Sequence, residues 1–400
     1  MALPTNSHTS VCNKSSISNP LLVRLMQEPN SGVKTALDLE ANSIPKADTF
    51  FWESIVTMLK SSSPKKAQLV LEWKLEKMLK ENERDQGRYS DLIFLCGKVQ
   101  YVSFALHVFT SMEAHGIRPT SAVFNSLITT CLSSGNVATA LSLFEIMERS
   151  KDFKPNSTTY NAFISLYSKL GDSKAMQAWY SASKTVGFSP NVQTFESLIS
   201  WSIKSKEFDI ANTFYEEMMS SGVTPNVAIL ENMLEGLCKQ KKLSKIRQFL
   251  KFILDGGWNL NKRMTENLLE LYSQTGRVGE MEELLVSLMR SNHEPVVLSQ
   301  VHCGIIRMYA LSDRLDDLEY SVGRMLKQGL SFTCPGDVEQ VICSYFRRAA
   351  YDRLDLFLER IEGSYKLTKS TYDLLVAGYK RAGLSDKLDL VMKNMKLAGS

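Results

Sequence analysis

Apolar residues in this chain fall in short runs at helical spacing, and the runs come in pairs. In Val123-Phe-Asn-Ser-Leu-Ile128 an aromatic residue is followed by Leu and Ile three and four places on, which draws one apolar stripe along a helix. The same start returns as Thr159-Tyr-Asn-Ala-Phe-Ile164, Thr194-Phe-Glu-Ser-Leu-Ile199 and Thr371-Tyr-Asp-Leu-Leu-Val376. A turn follows, as at Gly135, Gly171 and Gly276. A second amphipathic run then closes on Met: Ala140-Leu-Ser-Leu-Phe-Glu-Ile-Met147 corresponds to Ala211-Asn-Thr-Phe-Tyr-Glu-Glu-Met218. A Gly-x-x-Pro segment stops the second run, at Gly116–Thr120, Gly187–Asn191 and Gly222–Asn226. Pro155, Pro190 and Pro225 are spaced 35 residues apart.

Each unit therefore reads as helix, turn, helix, loop. One such hairpin cannot bury both apolar faces, whereas stacked hairpins share a core, so the pattern predicts an all-α chain, an α-solenoid superhelix of about ten repeats. Counting from the aligned prolines gives 86–120, 121–156, 157–191, 192–226, 227–261, 262–298, 299–333, 334–368 and a partial 369–400. Segment 49–85 reads as a degenerate first unit, with Trp52, Ile55, Val56 and Leu59 on one face. The period replaces the two or three globular domains that 400 residues would otherwise imply.

Composition changes this picture little. The chain is 44% hydrophobic and 22% charged, which is ordinary for a folded protein. The 47 Lys and Arg nearly cancel the 43 Asp and Glu. The uncharged run from Thr120 to Phe144 is broken by Gly135 and Asn136 and reads as two short helices and a turn, not a membrane span. Residues 1–48 differ from the rest. The first 27 lack Asp and Glu and carry Ser7, Ser10, Ser15, Ser16 and Ser18 with only Lys14 and Arg24 as bases. An acid-free, Ser-rich leader is expected to be an unstructured transit peptide of chloroplast type, with a mitochondrial one as the alternative and a plain disordered tail as the competing reading.

The seven cysteines show no CxxC spacing and no HExxH pair occurs, so neither a disulfide scaffold nor a metal site is expected. Cys96, Cys131 and Cys238 fall at inner helix positions and read as core. The clusters Glu280, Glu282, Glu283 and Asp313, Asp316, Asp317, Glu319 lack calcium-loop spacing and read as hydrated helix faces. Phe124, Tyr160, Phe195 and Tyr372 recur at the fourth position and read as core.

The 35-residue period, the Thr-Tyr-Asn-x-x-Ile start, the Ala-Leu-x-x-Phe-x-x-Met middle and the Gly-x-x-Pro-Asn end resemble the pentatricopeptide repeat family, over 49–400 and most cleanly over 86–226. The Trp-x-x-Leu-Gly-x-x-Tyr start of tetratricopeptide repeats is absent. The resemblance implies binding of single-stranded organellar RNA, with the fifth and last residues of a repeat choosing a base. Carried over, these are Asn125 with Asn156 and Asn161 with Asn191, pairs that imply a pyrimidine, and Ser90 with Thr120. Later units depart from the pattern, with Glu196, Glu231, Glu266, Cys303, Glu339 (counted from Pro335) and Asp373 at the fifth position. The second position, apolar in the family, holds Thr158, Gln193, Arg263, Gln300 and, counted from Pro335, Gly336.

A base recurs where first helices end: Lys98, Lys169, Lys204, Lys239, Arg347 and Arg381. In a stacked array these form a stripe that is expected to track a phosphate backbone. Bases there also favour the helix dipole by roughly 0.3–1 kcal/mol. No deaminase signature (HxE with PCxxC) is present, so no enzyme and no cofactor are expected. The resemblance is to the plain repeat class, which assists splicing, transcript stability or translation beside splicing or ribosome-associated proteins. A protein-interaction scaffold with little RNA affinity is the alternative reading, favoured by the glutamates, and homodimerisation stays open.

Overall fold

A computed structural model describes residues 20–40, 49–290 and 294–397. Among the described residues the regular elements are 22 α-helices and one 3₁₀ turn, with no strand. Contacts divide the chain into two compact units, Met1–Leu198 and Ile199–Ser400, with the boundary inside helix Val192–Lys204.

The hairpin of residues 121–149 shows how the sequence makes the repeat. Helix Ser121–Ser133 buries Val123, Phe124, Leu127, Ile128 and Cys131, one stripe of the 3.6-residue period. Helix Val137–Arg149 buries Ala140, Leu143, Phe144 and Met147. Between them Gly135 takes φ +75°, and Asn136 N–H reaches back to the Cys131 carbonyl at 2.8 Å. A glycine enters the left-handed region without steric cost and satisfies carbonyls the helix leaves open. At the equivalent turns elsewhere Gln100, Lys206, Lys241, Asp313 and Ala349 hold positive φ without being glycine.

Several of the following hairpins begin on a side-chain cap. Asn156 accepts from the N–H groups of Thr158 and Thr159, and Thr159 Oγ1 accepts from Asn156 N–H, a reciprocal box. The Asn closing each Gly-x-x-Pro-Asn segment is thus the N-cap of the next helix; Asn226 and Asn261 repeat the cap.

In Met1–Leu198 the core includes an aromatic cluster in which Phe163 stacks on Trp179 at 4.2 Å between centroids and Phe144 meets both edge-on. In Ile199–Ser400 neighbouring hairpins are tied by a recurring polar motif. A tyrosine of one first helix donates to a carboxylate of the preceding second helix: Tyr309 to Glu282, Tyr345 to Glu319, Tyr379 to Asp355. Arg353 then bridges Glu319 and Asp316, and Lys387 bridges Asp355 and Asp352.

Three expectations change. Residues 20–40, taken as part of an unstructured leader, are helical. Helices Pro20–Gln27 and Val33–Glu40 bury Leu21, Leu22, Leu25, Val33, Ala36 and Leu37. Their polar groups also engage the next hairpin, with Trp73 Nε1 donating to Asp38 at 2.7 Å. The rest of the expected leader, 1–19 and 41–48, lies outside the described residues. The acidic clusters are not simply hydrated faces: Arg277, Arg324 and Arg247 pair with Glu280, Glu282 and Glu283, and Arg347, Arg353 and Arg314 pair with the second cluster. The unit boundary placed after residue 298 falls inside helix Pro295–Leu311, because Pro295 is pre-organised for the first helical turn.

Candidate nucleic-acid interface

Within Met1–Leu198 the first helices present one groove of about 1110 Å³. Its lining includes Ser90, Asn125, Asn156, Asn161 and Lys169, together with the second-position residues Ala122, Thr158 and Gln193. Asn191 caps helix Val192–Lys204 beside it, bonded to Asn161.

The two Asn pairs are built identically. Asn125 Nδ2 donates to Asn156 Oδ1 at 3.1 Å, and Asn161 Nδ2 donates to Asn191 Oδ1 at 3.1 Å. A hydroxyl closes each set: Thr159 Oγ1 donates to Asn125 Oδ1 and Thr194 Oγ1 to Asn161 Oδ1, both at 2.6 Å. Asn125 and Asn161 are buried at 8% and 9% exposure, so these bonds hold each amide at the groove wall. An amide has two donors and a two-lone-pair acceptor. After the internal bonds, Asn125 and Asn161 each retain one N–H and one lone pair, a bidentate edge of the kind that meets a base.

Ser90 and Thr120 are not brought together in this way. Ser90 Oγ lies 2.9 Å from Ser126 Oγ and donates to the Ala122 carbonyl, while Thr120 makes no side-chain cap bond. The basic stripe divides too. Lys98 pairs with Glu53 at 2.7 Å, Lys239 with Glu235 at 2.6 Å, and Arg347 with Asp313 at 2.8 Å. Lys169, Lys204 and Arg381 are exposed and have no carboxylate partner among the described residues.

In Ile199–Ser400 the equivalent places carry charge. Glu231 accepts from Asn261 Nδ2, the same fifth-to-last pairing, and lies 3.8 Å from Arg263. A smaller groove of about 510 Å³ is lined by Glu266, Glu270, Cys303, Arg307 and Asp337 among others. Asp337 is 2% exposed and pairs with Arg307 at 2.5 Å. Burial raises the Asp337 carboxyl above its ordinary value even though Arg307 opposes the shift. Cys96, Cys131 and Cys238 are buried, and burial pushes Cys96 and Cys238 up to about 12, which leaves them neutral thiols. Phe124, Tyr160 and Phe195 are core residues. Among the described residues no group of three or more His, Cys, Asp or Glu is placed to hold a metal ion, and no helix is long and apolar enough to cross a membrane.

The residues missed from sequence are Thr159 and Thr194. The Thr-Tyr-Asn start displays them, but which atom receives the hydroxyl proton depends on how one hairpin seats on the next.

Stacked helical hairpins with a polar, amide-lined groove define a helical-repeat protein. The description "Pentacotripeptide-repeat region of PRORP" matches residues 128–307, and "Pentatricopeptide repeat domain" matches residues 83–133. A rice (Oryza sativa subsp. japonica) protein, "Pentatricopeptide repeat-containing protein PPR5 homolog, chloroplastic", is 36% identical over 96 residues, 23% of this chain and 19% of its own length. The maize (Zea mays) PPR5 protein is 34% identical over 94 residues, again 19% of its length. The crystal structure of maize pentatricopeptide repeat protein PPR10 superposes with TM-score 0.60 at 18% identity, covering 95% of this chain and 60% of that one. A structure of PPR10 in complex with an 18-nt psaJ RNA element gives 0.50 at 19% identity, covering 94% and 54%. The chain belongs to the pentatricopeptide repeat family.

Proposed function

We propose that this protein binds single-stranded RNA along the groove of Met1–Leu198, without chemistry of its own. The observation that carries this reading is the amide pair presented twice, one repeat apart, in the same hydrogen-bonded setting. Asn125 with Asn156 and Asn161 with Asn191 would each take one pyrimidine, and Lys169 would neutralise phosphate. Binding would act passively, by holding a segment unpaired and shielded from nucleases or available to a splicing or translation factor. The RNA bound by PPR10 supports the ligand class, and the chloroplastic relatives support an organellar setting.

Filter binding to an organellar RNA pool across a salt series tests the reading. Affinity should fall steeply with salt, and should fall about tenfold for each of Asn125→Ala and Asn161→Ala. Absence of saturable binding to any transcript pool would overturn it. A scaffold role is favoured for Ile199–Ser400 by Glu231 and Glu266, which stand where the amides stand and would repel a phosphate chain.

A further inference from the structure

We propose that Thr159 and Thr194 are positioning residues that fix which way round the Asn125 and Asn161 amides face the groove. The proposal rests on the RNA reading above. The N–H groups of Thr158 and Thr159 point at Asn156, so the Asn156 atom that meets them is the oxygen. The Asn125 atom facing that oxygen at 3.1 Å must then be the nitrogen. Asn156 N–H donates to Thr159 Oγ1 at 3.0 Å, so the hydroxyl spends its one proton elsewhere, on Asn125 Oδ1 at 2.6 Å. Every polarity in the set follows from two backbone N–H groups that cannot reverse. Asn191, Thr194 and Asn161 repeat the chain from a single backbone N–H, that of Thr194, with 3.0, 3.1, 2.6 and 3.1 Å. Thr159 is 0% exposed and Thr194 2%, so water does not replace either hydroxyl.

The sequence supplies an independent check. An amide has two unlike ends and needs orienting, whereas a carboxylate has two equivalent oxygens and a serine hydroxyl turns freely. The third residue of the following unit is Thr after Asn125 and Asn161. It is Ile229 after Glu196, Met264 after Glu231 and Val123 after Ser90. The hydroxyl follows both amides and is absent after Ser90, Glu196, Glu231 and Glu266; after Glu339 the place holds Thr371, whose Oγ1 lies 2.9 Å from Thr368 Oγ1 while Glu339 accepts from Ser370 instead. Base preference in one repeat is therefore set partly by the repeat that follows it.

The test is selection from a randomised single-stranded RNA pool by the full chain and its variants, with sequencing of the bound fraction. Wild type should enrich a motif with preferences at two adjacent nucleotides. Thr159→Val should flatten one of these by about tenfold and leave its neighbour, while Thr194→Val should flatten the neighbour alone. Thr159→Ser should restore the first. A loss of folding would erase both positions together, so the selective pattern separates positioning from damage. Retention of both preferences in Thr159→Val and Thr194→Val, or failure of serine to restore, would overturn the proposal while leaving RNA binding intact. No enrichment by wild type would instead overturn the RNA reading, and this proposal with it.

Discussion

The two units use the same hairpin to present opposite chemistry. In Met1–Leu198 the fifth-position side chains seen in the groove are mainly hydroxyl and amide, and their hydrogen bonds are neutral. In Ile199–Ser400 the same place holds Glu231, Glu266 and Glu339, and the seams between hairpins are tied by arginine, lysine and tyrosine to carboxylates. Backbone register alone does not make a reader. Glu231 keeps the fifth-to-last pairing with Asn261 that Asn125 has with Asn156, yet brings a negative charge where a phosphate chain would run.

The largest expected effect on this comparison is an acid sensitivity seated in Ile199–Ser400. His302 is fully buried, its Nε2 faces Gln328 Oε1 at 3.1 Å, and its Nδ1 has no partner among the described residues. Burial lowers it from 6.5 to about 4, with Arg324 adding repulsion and the Gln328 bond opposing. The folded state prefers the neutral ring, so the contribution is complete above the unfolded value and is lost as pH falls from about 6.5 to about 4. The loss should be about 3 kcal/mol. Urea unfolding across that range should show it, and His302→Asn should flatten it. A wild-type profile with no slope there would contradict the assignment.

Next in size, Glu231→Gln with Glu266→Gln should make the second unit more like the first. A unit charge about 6 Å from a phosphate costs about 0.7 kcal/mol where water fills the gap. RNA affinity should therefore rise several-fold at low salt, and the gain should shrink as salt is added. Unchanged affinity would mean that this unit stays clear of RNA.

The smallest effect concerns the turns. Ala349 sits at φ +51° where Gly135 and Gly171 serve the same turn in the first unit. Ala349→Gly should raise stability by about 0.5–1 kcal/mol, and Gly171→Ala should lower it by a similar amount, read from the denaturant midpoint.

Much of the repeat was legible because its signals are local. The stripe Trp52, Ile55, Val56, Leu59 is the buried set of helix Thr49–Ser62, and the Gly-x-x-Pro-Asn ends locate the N-caps at Asn191 and Asn226. Helices Pro20–Gln27 and Val33–Glu40 were not legible. Each spans only 8 residues, and they gain stability from burial against helices whose sequences lie elsewhere. The pairing of Lys98, Lys239 and Arg347 with acids was hidden for the first and last, whose partners Glu53 and Asp313 are 45 and 34 residues away; Glu235, four residues before Lys239, was in plain view. Sequence alone showed where amides stood, but their polarity depends on a threonine one hairpin further on.

On the proposed RNA reading Asn156 and Asn191 each hold two jobs, and this narrows how the protein could be retargeted. As N-caps they contribute about 1 kcal/mol to the helix that follows, and that role accepts little beyond Asn, Asp, Ser, Thr and Gly. The alphabet available for recognition at those sites is therefore the alphabet of helix starts. A mutation that sought a new target with a bulky or apolar side chain would loosen the next hairpin as it did so. Changes of preference should travel more easily through the fifth residue and its threonine, compensated together, than through the cap.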